Sequence, residues 1–186
     1  MIRLLTYLLI FFSFLSCSTE KSTSLRIAGA SNMKFALEQI VDQFEANTGI
    51  ETELITASSG KLTTQIKEGA PFDIFLSADL KFPQELYKLS LTTEVPKVYA
   101  KGSLVLWTTE RFTPTVEMLR HDSIKKIAIS NPKTAPYGKA GIEFLKNNGL
   151  YEHVKNKLVF GESVTQTNQF VATKSVPIGI TAASSL

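Results

Sequence analysis

This chain of 186 residues predicts an α/β fold in two lobes, each a mostly parallel sheet flanked by helices. Three observations carry that expectation. Strand-like and helix-like stretches alternate, the order of a parallel sheet covered by helices. The alternation breaks once, near Lys101-Gly102, and then resumes. Four helices also begin at small polar or glycine-bearing turns that follow a strand: Ser31-Asn32, Ser58-Ser59-Gly60, Ala135-Pro136-Tyr137-Gly138 and Glu162-Ser163-Val164.

Taken in order, Leu25 to Ala28 reads as a short buried strand. Residues 32–48 follow as a helix with the apolar stripe Met33, Leu37, Ile40, Val41 and Phe44, and Gly49 is its stop. Glu51 to Ala57 is a strand, Gly60 to Lys67 a helix ended at Gly69, and Asp73 to Ser77 a strand centred on Ile74-Phe75-Leu76. A helix spans Pro83 to Leu89, and Val98 to Ala100 and Ser103 to Thr108 are extended. Then come a strand from Lys126 to Ser130, a helix from Gly138 to Asn147 and a strand from Lys157 to Gly161. A helix over 164–174 and a strand from Val176 to Thr181 complete the pattern. The division is a leader over 1–16, a tether over 17–24, a first lobe over 25–98 and a second over 99–186.

The leader is Arg3 followed by an apolar run from Leu4 to Leu15, the pattern of a secretory signal peptide. It is short for a membrane span. Cys17 follows at once and is the one cysteine of the chain, so no disulfide forms within it. A lone cysteine after such a leader resembles the lipid-modified cysteine of bacterial lipoproteins, with Phe14-Leu15-Ser16 as an imperfect lipobox. The polar residues Ser18 to Ser24 suit a flexible tether. The expected location is the periplasm or cell surface, anchored through Cys17.

Composition narrows the function. A hydrophobic share of 44% with 20% charged residues fits a globular chain, and a net charge of +3 is too small to point to nucleic acid. The two histidines, His121 and His153, lie in polar surroundings typical of a solvated helix face, and no metal-ligand cluster stands out. No phosphate loop or nucleophile elbow appears. Ser59 as a nucleophile needs a base that the sequence does not supply, and a helix N-cap role is the stronger reading. No enzyme and no cofactor are expected.

The four turns carry the positive reading. Each offers free backbone N–H groups, hydroxyls or an amide at the positive end of a helix dipole, which holds an anion without a charged residue. Singly, each is an ordinary cap. Together, at the carboxyl ends of strands where open α/β sheets bind ligands, they point to a small oxyanion held between two lobes.

Long phrases of the chain resemble the periplasmic molybdate-binding proteins of ABC transporters. They are Leu25 to Asn32, Ala57 to Gly60, Gly69 to Asp79, Tyr99 to Trp107, Asn131 to Gly138 and Gly161 to Thr173. The resemblance implies a type 2 periplasmic binding protein fold that closes on molybdate or tungstate and delivers it to a membrane permease, as a monomer. It places the oxyanion contacts at Ser31, Asn32, Ser59, Tyr137 and Val164, the last two mainly through backbone N–H. Many members carry a Tyr in the last strand region, where this sequence has Ala182. Another branch lacks that Tyr and has Asn after the first Ser, so weight shifts to Asn32. Lys61, beside Ser59, either adds charge at the rim or is solvated.

Members of the family run on beyond the point where this sequence stops, at Ser184-Ser185-Leu186. The expectation is a C-terminally truncated chain whose first lobe is incomplete, with apolar surface left open and stability lowered. The alternatives are a receptor for sulfate, phosphate or another oxyanion, a secreted hydrolase using Ser59, and a non-functional truncated paralogue.

Overall fold

The computed structural model describes residues 24–186. The expected signal peptide, Cys17 and the expected tether up to residue 23 lie outside the described residues.

Two separate sheets are present. The first has the order β2-β1-β3, with β1 at Leu25–Ala30, β2 at Thr52–Ala57 and β3 at Ile74–Leu76. β1 is parallel to both neighbours, Leu25 standing opposite Thr52 and Ile27 opposite Ile74. The second sheet has the order β4-β7-β5-β6, with β4 at Leu104–Trp107, β5 at Ile127–Ser130, β6 at Leu158–Gly161 and β7 at Ile178–Ala182. β5 runs parallel to β6 and to β7. β4 is the departure from parallel: it runs antiparallel to β7, as an edge strand can in an otherwise parallel sheet.

The helices are α1 at Lys34–Thr48, α2 at Ser59–Lys67, α3 at Lys81–Lys88, α4 at Pro136–Asn147, α5 at Tyr151–Val154 and α6 at Val164–Ala172. Ser31–Met33 forms a single 3-10 turn between β1 and α1. α1 ends where the sequence places its stop. Gly49 adopts the left-handed conformation at φ 70°, and its N–H closes on the Glu45 carbonyl. α4 opens with Pro136, whose fixed φ and missing N–H suit the first helical position.

Four elements are absent from the sequence reading: α5 and the 3-10 turns Glu117–Arg120, Lys155–Lys157 and Ala183–Ser185. Each is too short to show a helical period. Val98 to Ala100 is extended in sequence but belongs to no strand. Tyr99 is tied down by its side chain instead, its Oη donating to the Ser77 carbonyl at 2.7 Å.

The better-filled core belongs to the second sheet. Ile127, Ile129, Ile178 and Ile180 pack with Leu145, Leu150, Val154, Leu119 and Ile124, all buried. The helix α1 is thinner in its packing. Of its expected stripe only Leu37 is buried, while Ile40 is 58% exposed. The three-stranded first sheet presents too narrow a face to cover both flanks of a fifteen-residue helix.

Candidate functional site

The chain leaves β1, β2, β5 and β6 at their carboxyl ends, and each exit leads into a helical start. Ser31 follows β1 directly, Ser59 opens α2, Tyr137 is second in α4 and Val164 opens α6. The first amides of a helix have no intrahelical acceptor, so each start presents free N–H groups. The structure brings all four starts to one small cavity of about 10 Å³, whose lining includes Ser31, Asn32, Ser59, Tyr137 and Val164. Ser58, Ala78 and Ala135 stand among them, and no charged residue lines the cavity.

The five expected site residues are buried, at 5% exposure for Ser31, 6% for Asn32, 1% for Ser59, 8% for Tyr137 and 3% for Val164. One hydrogen bond joins two of them directly. The Val164 amide donates to Ser31 Oγ at 3.3 Å, across the two sheets. Ser59 Oγ accepts from the Ala78 amide at 3.0 Å, which aims the hydroxyl hydrogen of Ser59 elsewhere. Ser163 caps α6, its Oγ accepting from the Gln166 amide at 3.2 Å, and so fixes the turn that presents Val164. Asn32 Oδ1 is buried without a partner among the described residues. Such a group costs about 1–3 kcal/mol until a partner meets it. Turning the amide over presents its two N–H donors to an anion instead.

Tyr137 is the one titratable group in the lining. Burial pushes its phenol above the ordinary value, and the neighbouring side chains of Ser184 and Asn32 pull weakly the other way. Its ring packs with Val164 and with Ala182, the position where the resemblance expects a Tyr in many members. Lys61 is exposed and does not line the cavity. His121 and His153 are exposed as well, and no cluster of metal-binding side chains occurs among the described residues.

The sequence reading missed Ala78, Thr134 and Ser184. Ala78 holds Ser59, the Thr134 carbonyl accepts the Gly60 amide at 2.8 Å, and Ser184 Oγ donates to the Asn32 carbonyl at 2.9 Å. Ala78 and Thr134 lie inside phrases that the resemblance quotes. Nothing in the local pattern marks Ser184.

A wider groove of about 840 Å³ opens beside this cavity, along β3 and the segment 91–102, and shares Asn32, Ala78 and Tyr137 with it. Its wall is a sheet edge and an irregular segment rather than a set of helix starts. The donors that suit an anion converge on the small cavity.

That pattern matches a known family. The family model described as bacterial extracellular solute-binding protein matches residues 25–186. The chain belongs to that family. Among its relatives, the molybdate-binding protein ModA of Azotobacter vinelandii is 37% identical over 173 residues, which cover 91% of this chain and 68% of that protein. ModA of Rhodobacter capsulatus is also 37% identical, over 84% of this chain and 63% of its own length. The solved Azotobacter vinelandii periplasmic molybdate-binding protein superposes with a TM-score of 0.80 at 34% identity, covering 86% of this chain and 71% of that one. The chain thus spans about two thirds of the length of these relatives. Its fold is that of a periplasmic binding protein, with two α/β sheet units and helices flanking each.

Proposed function

We propose that this solute-binding protein captures molybdate or tungstate outside the inner membrane and delivers it to an ABC transporter permease. One observation carries the reading: four helix starts from two sheets meet at a buried cavity lined by no charged side chain. The cavity as it stands has room for about one water, so it widens to admit a tetrahedral dianion, which is then held by neutral dipoles at positive helix ends. Ser31, Asn32 and Ser59 supply side-chain donors, and Tyr137 and Val164 supply backbone N–H groups. Ligand entry exchanges the Val164–Ser31 bond for bonds to the ligand's oxygens. The likeness to proteins named for molybdate, at 37% identity, supports the choice of anion. No step of this reading needs a cofactor or a catalytic group. The protein acts as a monomer of two lobes, 25–98 and 99–186, held in the periplasm or at the cell surface by a lipid on Cys17.

Thermal unfolding with a panel of oxyanions tests the proposal. A ligand at one hundred times its dissociation constant adds about 2.7 kcal/mol to stability. Molybdate and tungstate are expected to raise the midpoint, and sulfate and phosphate to leave it unchanged. A rise with sulfate or phosphate alone assigns the site to another anion, and no rise with any of the four overturns the reading.

A further inference from the structure

One of the bonds that cross between the two sheet units is made by backbone alone. The Gly60 amide, in the first turn of α2, donates to the Thr134 carbonyl, in the loop between β5 and α4, at 2.8 Å. The approach is as close as a glycine permits. A Cβ added at Gly60 would stand 2.7 Å from the Thr134 carbonyl oxygen, 3.0 Å from Thr134 Cα and 3.0 Å from Phe82 Cζ. The Phe82 ring is the end of a side chain and can turn away. The Thr134 backbone cannot, because its loop is bound around Asn131. The Thr134 and Ala135 amides donate to the Asn131 carbonyl at 3.2 and 2.8 Å, and the Lys133 amide to Asn131 Oδ1 at 3.0 Å. Thr134 Oγ1 is itself buried and has no partner among the described residues.

Nothing local to α2 asks for glycine. Gly60 is helical, with no left-handed φ, and alanine is the better helix former by about 1 kcal/mol. The reason for its bare Cα lies across the cleft. We propose that Gly60 is a positioning residue that sets how closely the two sheet units close over the oxyanion cavity. Its missing side chain lets α2 reach the Thr134 loop, and this brings Ser59 into register with Tyr137 and Val164. The inference rests on the proposed capture of an oxyanion between the units.

Gly138 shows the contrast. A Cβ there would meet the Ser130 carbonyl oxygen at 2.1 Å, inside one unit, so a larger residue disturbs the fold itself. A Cβ at Gly60 meets fixed backbone only across the units, at Thr134; within its own unit it meets only the end of the Phe82 ring.

The test compares wild type, Gly60→Ala and the double variant Gly60→Ala with Phe82→Ala, by thermal unfolding without ligand, molybdate titration and small-angle X-ray scattering. Gly60→Ala is expected to unfold no earlier than wild type, to bind molybdate at least tenfold more weakly, and to show a larger radius of gyration. The double variant is expected to recover neither affinity nor compactness, because Thr134 and not Phe82 is the obstacle. Wild-type affinity and an unchanged radius in Gly60→Ala overturn the proposal, as does full recovery in the double variant. If wild type takes neither molybdate nor tungstate, the functional reading fails. The radius of gyration of the ligand-free proteins then decides on Gly60: a larger value in Gly60→Ala upholds its role, and an equal value overturns it.

Discussion

The Val164 amide and the Ser31 hydroxyl meet at 3.3 Å although 133 positions separate them in the chain. Ser31 directly follows the first strand of the first sheet, and Val164 opens the helix after β6 of the second. Their bond closes the cavity from opposite sides. It also pairs a donor and a hydroxyl that the proposed ligand would take over.

Replacing Ser31, Asn32 or Ser59 by Ala is therefore expected to weaken molybdate binding by roughly tenfold to a hundredfold each. A hydrogen bond to a charged oxygen contributes about 1.5–3 kcal/mol, which converts to that range. Ser58→Ala is expected to matter less, because Ser58 stands at the N-cap of α2 without a side-chain capping bond. Calorimetric titration of the four variants checks this. Wild-type affinity in the first three removes them from the site.

Binding is expected to be flat with pH between about 6 and 9, since neutral groups do not titrate there. The sign at the alkaline end follows from Tyr137. Burial raises its phenol above the ordinary 10.0, so the group stays neutral through that range. Above it, ionisation sets a negative charge beside the bound anion, and affinity falls as pH rises. Titrations across this span with wild type and Tyr137→Phe check the assignment. The variant is expected to bind molybdate near neutral pH like wild type, because Tyr137 acts through its backbone, and to lose the alkaline fall. A large loss for Tyr137→Phe at pH 7 would instead make the hydroxyl a direct ligand.

Cys17 is expected to be the first residue of the mature protein and to carry lipid. A single acyl chain anchors only marginally, whereas two or more anchor firmly. Mass spectrometry of the mature N-terminus reads this directly. An unmodified terminus downstream of Cys17 rejects the anchor.

Much of this protein is written locally. The alternation of apolar runs and helical stripes determined which segments become strands and helices, and the parallel course of β1 with β2 and of β5 with β6 follows from it. The small polar turns also declared themselves, because a helix start needs groups to satisfy or present its free amides. Elements of one turn, such as Tyr151–Val154, were silent because they span too few residues to show a period. The apolar stripe of α1 was misleading about burial. Periodicity tells which face is greasy, but only the width of the sheet beneath decides how much of it is covered, and Ile40 stays exposed. Tertiary structure alone decided that the four turns face one cavity, that Ala78 holds Ser59, that Ser184 reaches Asn32 and that Gly60 meets Thr134. Local sequence specifies what a turn can offer, through its dipoles and donors. Which turns come within hydrogen-bonding distance depends on how two separately folded sheets are set against each other, and that placement is the sum of many contacts distant in the chain.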